Sequence, residues 1–143
     1  MSYPDFFIRG ISGSNGLDEE GAPAAYLFYF GEKNLPIRKD GYWEESINWQ
    51  DDDGALTLLL EQKKDTNEYQ FKVGAVFVSR HEIDRIRKLP YVGHQLDYER
   101  KELPENKYHG NLLLQNTVSK ARMKRIAAAI ALSADKIFKR DEA

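Results

Sequence analysis

Between Tyr42 and Gln50 the chain reads YWEESINWQ, and hydrophobic and polar positions alternate. Trp43, Glu45, Ile47 and Trp49 share one face of an extended chain, and Tyr42, Glu44, Ser46 and Asn48 share the other. Two Trp and an Ile on one side predict a half-buried strand, in which Glu45 is the misfit. DFFIRGIS, residues 5–12, predicts a first strand. AAYLFYF, residues 24–30, is apolar at almost every position and predicts a strand covered on both faces. Two further runs, residues 55–63 and 69–79, fit a hairpin. If Asp65 faces Glu68 across its turn, Leu60 meets Val73, Leu58 meets Ala75 and Leu56 meets Phe77, while Glu61 meets Lys72 on the outer face.

The period then changes. Ser79 followed by Glu82 spells a capping box, and Ile83, Ile86 and Leu89 form the stripe of a short helix that Pro90 stops. Residues 90–108 are polar and irregular. HGNLLLQN, residues 109–116, predicts a short buried strand. A long helix is expected from about Ser119 to Arg140, where Met123, Ile126, Ala127, Ile130, Ala134, Ile137 and Phe138 recur at three- and four-residue steps. The predicted order is five strands, a helix, a strand and a helix. That is an α+β fold in one domain, 1–143: an antiparallel β-meander of five to six strands with helices on one face, the long C-terminal helix packed across it.

Composition narrows the chemistry. The 143 residues suit one core, and there is no cysteine, which excludes a disulfide framework, a thiol nucleophile and an iron–sulfur site. The start, MSYPDFFIRG, carries an acid early and no basic segment ahead of an apolar run, so a signal peptide is not expected. No apolar run approaches the ~20 residues of a membrane span. A cytoplasmic protein with no membrane contact is the expectation. Net charge is −2, but residues 1–56 hold eleven acids and four bases, whereas the remainder holds twelve acids and seventeen bases. An asymmetry of that kind can steer a charged partner.

Three chemistries come into view. QDDDGALTLLLEQKKD, residues 50–65, places acids, an aliphatic run and then Glu61-Gln62-Lys63 in the order of many nuclease metal sites. On one strand Asp53 and Glu61 would lie roughly 26 Å apart, too far to share an ion, so Glu45 is the better companion for Glu61. Glu61 and Lys63 are thus candidate catalytic residues, and Glu45 and Glu61 candidate metal ligands. His109 is a further catalytic candidate, and would gain His94 and Asp97 as neighbours if the 90–108 segment folded over it. Lys120, Arg122, Lys124 and Arg125 open the last helix and are candidate phosphate contacts, although a sequence pI near 5.9 is low for a dedicated nucleic-acid binder. Basic charge there opposes the helix dipole, which Asp51–Asp53 of the same or another copy could relieve. Gly10-x-x-Gly13-x-x-Gly16 leads into LDEEGAP, too acidic for a phosphate cradle. No cofactor motif appears.

The leading reading is a small non-enzymatic interaction protein with an unidentified protein partner. Ala128 and Leu132 on a second face of the last helix suit a homodimer. A nucleic-acid binder and a metal-dependent nuclease or phosphodiesterase are the alternatives.

Overall fold

In the computed structural model, which describes residues 3–31 and 37–140, the chain folds as a six-stranded antiparallel sheet with three α-helices. The strands are β1 (Phe6–Ile11), β2 (Tyr42–Trp49), β3 (Gly74–Ser79), β4 (Leu96–Arg100), β5 (His109–Gln115) and β6 (Ala134–Lys139). The helices are α1 (Gly54–Glu61), α2 (Arg80–Arg87) and α3 (Lys120–Leu132). Across the sheet the order is β4-β5-β2-β1-β3-β6. The α+β class is therefore as the pattern predicts, with the C-terminal helix packed on the sheet. The helices, however, lie on both faces.

One face carries the larger core. Phe7 and Ile11 of β1, Ile47 and Trp49 of β2, Val76 and Val78 of β3 and Leu112 and Leu114 of β5 meet Ile83 and Ile86 of α2 and Met123, Ile126 and Ile130 of α3. The opposite face is covered over β1 and β3 by α1, where Ala55 and Leu59 join Ile8, Ala75, Phe77 and Tyr108. The central strands thus bury both faces.

Four expected elements differ. The run Ala55–Lys63 is helix α1 over Gly54–Glu61, not a strand. Ala55, Leu56, Leu59 and Leu60 recur at helical spacing, and Leu, Ala and Glu are strong helix formers. Asp52 Oδ1 accepts from Gly54 N–H at 2.8 Å where the helix begins. The Glu61–Lys72 cross-strand pair is consequently not formed, and Lys63 bridges Tyr69 instead. The AAYLFYF run holds a 3₁₀ turn, Ala25–Phe28, with Leu27, Phe28 and Phe30 buried against α3 rather than between strands. Phe30 N–H donates to Met123 Sδ at 3.4 Å. Helix α3 stops at Leu132, and Ser133 Oγ donates back to Ala129 O at 2.9 Å. Residues beyond it form β6 because the apolar β3 would otherwise have an unpaired edge; Val76 pairs with Ile137 and Ala75 with Phe138. Finally, part of the 90–108 segment is strand β4, whose Leu96 and Tyr98 pair with Leu114 and Leu112.

Pairing along the sheet is uneven. Strands β1 and β3 match at all six positions from Phe6↔Ser79 to Ile11↔Gly74, and β2 matches β5 over seven, from Tyr42↔Gln115 to Asn48↔His109. Between β1 and β2 only Phe7↔Trp49 and Ile8↔Asn48 pair. The sheet is two three-stranded halves joined at one end of β1 and β2 and parted at the other. Among the described residues no helix is long and apolar enough to cross a membrane.

Candidate functional site

A charged side chain crosses the parting of β1 and β2. Arg9 faces the same side as Phe7 and Ile11, but its guanidinium lies in the gap. There Nε donates to Leu27 O at 3.2 Å, Nη1 donates to Ser46 O at 2.7 Å, and Nη2 lies 3.6 Å from Glu45 Oε2. Both side chains are largely withdrawn from solvent, at 13% and 12% exposure. Burial draws the Arg9 guanidinium below the usual arginine range, and the Glu45 charge opposes that shift. Glu45, the misfit on the apolar face of β2, is thus the counter-charge of a misfit on β1.

Backbone parity fixes what else looks into the gap. Gln50 N–H donates to Phe6 O at 3.0 Å, so alternate residues of β2 (Gln50, Asn48 and Ser46) present their N–H and C=O groups toward β1. Asn48 meets Ile8, but pairing has ended by Ser46. Its carbonyl receives Arg9, and its N–H, on the same edge, points into the opening.

On the α1 side of the sheet, Ser46 Oγ lies 3.4 Å from His109 Nε2, and His109 Nδ1 lies 2.9 Å from Lys101 O. A carbonyl only accepts, so Nδ1 of the neutral ring carries the proton and Nε2 presents a lone pair to the Ser46 hydroxyl. The segment before β5 is clamped: Lys101 N–H donates to His109 O at 2.9 Å, and Leu103 bridges Asn106. A buried polar chain secures it to the sheet. Asn106 Nδ2 donates to Asn48 Oδ1 at 2.8 Å, Asn48 Nδ2 donates to Ala55 O at 3.1 Å, and Asn106 Oδ1 accepts from Tyr108 N–H at 3.0 Å. Asn48 and Asn106 are 3% and 4% exposed, and these bonds account for their burial. Tyr108 Oη donates to Asp52 Oδ1 at 2.6 Å. That bond and the one from Gly54 hold the Asp52 carboxyl below the usual range, and the bond to Asp52 pushes the Tyr108 hydroxyl up.

Two cavities open onto the gap. One, of about 520 Å³, lies beside α1 and is lined by Leu58, Gln62, Lys63, Glu105 and His109 among others. The other, of about 310 Å³, lies toward Arg9, Glu44, Glu45, Tyr26 and Tyr29. Both are lined by Gly10, Ser46, Gln70 and Phe71, the residues where the strands part. Phe71 lies directly on Gly10, where a Cβ would come within 2.3 Å of the ring. Only glycine lets the ring lie so close to β1.

The candidates read from the sequence fall in different places. His109 lines the larger of these two cavities, with Lys63, whose Nζ lies 5.4 Å from the Tyr69 ring centroid. Glu61 is exposed on α1 and lines a separate cavity with Tyr108 and Pro104. Glu45 lines the cavity with Arg9, so the two candidate ligands are not gathered at one cavity. Among the described residues no group of three or more His, Asp or Glu could hold a metal ion. His94 lines another cavity with Asp84, Arg87 and Lys88, away from His109, while Asp97 lies 3.6 Å from Arg87.

On α3, Arg122 donates to Tyr91 O at 3.1 Å and to Gln95 Oε1, Arg125 lies 3.8 Å from the Tyr91 ring centroid, and Lys124 lies 5.7 Å from that of Tyr29. Arg122, Lys124 and Arg125 are therefore divided between neighbours. Ser119 Oγ caps the helix by accepting from Arg122 N–H, and Lys120 begins it. Within the chain the acidic turn does not relieve this end: Asp51 pairs with Arg100 and Asp52 with Tyr108.

Two residues of the cleft, Arg9 and Ser46, are absent from the candidates read from sequence. A signal for Arg9 existed, because opposite charges occupy the apolar faces of two strands that become neighbours. Ser46 carries no such mark. Compared with protein-family models, curated proteins and solved structures, the chain matches none.

Proposed function

We propose that this is a binding protein whose ligand, a small polar molecule, seats in the cleft between β1 and β2. The observation that carries the reading is the end of strand pairing after Ile8↔Asn48, with two cavities that share Gly10, Ser46, Gln70 and Phe71 at the gap. Each is in the size range of small-molecule sites, and Ser46, Gln62, Gln70 and His109 are among the polar residues lining the larger of the two. The cysteine-free composition suits the reducing cytoplasm, which is the compartment we assign.

A thermal-shift screen of polar metabolite-like fragments tests this. Hits should lose their stabilisation in Ser46→Phe, which fills the junction from an exposed position. Hits that stabilise the variant equally would place binding elsewhere and remove the reading.

A protein partner, including a second copy of this chain, is the second reading. It is favoured by Leu132, which is 89% exposed at the end of α3. Light scattering of Leu132→Lys against the parent decides it: unchanged mass and a monomeric parent would exclude self-association there. A nucleic-acid partner would engage the basic start of α3, Lys120, Arg122, Lys124 and Arg125, with binding that weakens steeply with salt.

A further inference from the structure

From the Ser46–His109 geometry we infer that the ligand of the cleft is a small carboxylic ester, and that Ser46 is acylated by it with His109 as general base. The inference rests on the binding reading above and adds the chemistry. A serine nucleophile needs a base within hydrogen-bonding reach, a group that orients that base, and donors for the developing oxyanion. Ser46 Oγ and His109 Nε2 are 3.4 Å apart, a separation that ligand-free sites often show and that tightens on binding. The Lys101 carbonyl, 2.9 Å from Nδ1, fixes the ring so that its basic nitrogen faces the hydroxyl. Ser46 is exposed on an otherwise ordered strand, and its hydroxyl is reachable from the 520 Å³ cavity.

The oxyanion donor is the Ser46 N–H itself. Arg9 occupies the neighbouring carbonyl at 2.7 Å and marks the edge on which the N–H lies. Leu58 and Phe71 give the cavity an apolar wall for an acyl chain, and the carboxamides of Gln62 and Gln70 give polar contacts for the alcohol portion.

The step balances within the named groups. The Ser46 hydroxyl proton passes to His109 Nε2 as Oγ bonds to the acyl carbon. The C–O bond to the alcohol then breaks, and the alcohol oxygen takes the proton from Nε2. Water next attacks the acyl-Ser46 carbon, giving its proton to Nε2. The Ser46–acyl bond breaks, Oγ is reprotonated, and a carboxylic acid leaves.

The test is acylation by p-nitrophenyl acetate, read as acetyl on Ser46 by peptide mass spectrometry and as nitrophenolate release. Its companion is a chemical-shift titration with p-nitroacetanilide, the slowly cleaved amide of the same shape. The expected result is acetyl at Ser46, none in Ser46→Ala, and a rate about 10²-fold lower in His109→Gln at an unchanged thermal midpoint. Absence of Ser46 acetylation, or an equal rate in His109→Gln, overturns the inference. If the amide still shifts Gly10, Ser46 and Gln70 in that event, the binding reading survives alone; if it does not, both fail for this ligand class.

Discussion

Replacing Arg9 by Met removes the charge from the strand gap while keeping most of the side-chain volume. The guanidinium donates to Leu27 O and Ser46 O, and it lies 3.6 Å from Glu45 Oε2. Hydrogen bonds from a charged donor contribute about 1.5–3 kcal/mol each, and removing one partner of a buried ion pair costs about 3–5 kcal/mol. These terms overlap, because one side chain makes all three contacts. The ion pair is longer than ideal, whereas exposures of 13% and 12% leave little solvent screening. A loss of about 3–4 kcal/mol follows, a large share of a typical domain stability of ~5–15 kcal/mol.

The assay is urea unfolding of Arg9→Met, Glu45→Leu and the double variant. Glu45→Leu alone leaves the Arg9 charge without that counter-charge and should cost about 2–3 kcal/mol. The double variant removes both charges and should cost less than the sum of the two, with a coupling of about 1–3 kcal/mol. Two strictly additive losses, or an Arg9→Met cost below about 1 kcal/mol, would show that the pair does not brace the gap.

The acidic turn and the helix caps give two further predictions. The Asp52 carboxyl is depressed by its bonds from Tyr108 and Gly54, so it contributes stability above its unfolded pKa of about 3.9, and that contribution is lost as pH falls through the lower folded value. Asp52→Asn should therefore be less stable than the parent at pH 7, by urea midpoints, with the difference shrinking as pH falls below about 3.9. A gap that persists at acid pH would assign the effect to something other than charge. Among the caps, Ser119→Ala should cost about 1 kcal/mol, because its Oγ accepts from Arg122 N–H. Ser79→Ala should cost less than about 0.5 kcal/mol, because no side-chain bond caps α2 and Glu82 turns to Arg85 at 2.6 Å. Thermal midpoints in the reverse order would overturn the cap assignment.

What the sequence made legible follows from how many physical constraints acted on each stretch. YWEESINW alternates cleanly because one face of β2 lies on the main core, so both its existence and its facing could be read. Met123, Ile126 and Ile130 keep helical spacing because α3 packs on that same core. The ALTLLLE run satisfies a strand pattern and a helix pattern alike. What decides for helix is tertiary: β1 and β3 need a cover for Ile8, Ala75 and Phe77, and Ala55 and Leu59 supply it. The end of α3 was obscured for a related reason. Ile137 and Phe138 continue a helical stripe in sequence, yet in edge strand β6 they point to opposite faces, Ile137 to the larger core and Phe138 to the α1 side.

The site was harder to read. His109 was visible as a lone histidine, but its partner Ser46 lies 63 residues away, on a strand that a local pattern cannot pair with it. The E-x-K spelling presupposes a strand; the run is helix α1, with Glu61 lining one cavity and Lys63 another.

The opening of the sheet at Ser46 is the claim on which the rest depends, and amide hydrogen exchange along β2 tests it most directly. Asn48 and Ser46 present their N–H groups to the same neighbour two residues apart. The account predicts a protected Asn48 amide and a Ser46 amide that exchanges orders of magnitude faster, with Ile47, which faces β5, protected between them. A Ser46 amide as slow as that of Asn48 would mean that β1 and β2 pair onward, and that there is no cleft to occupy.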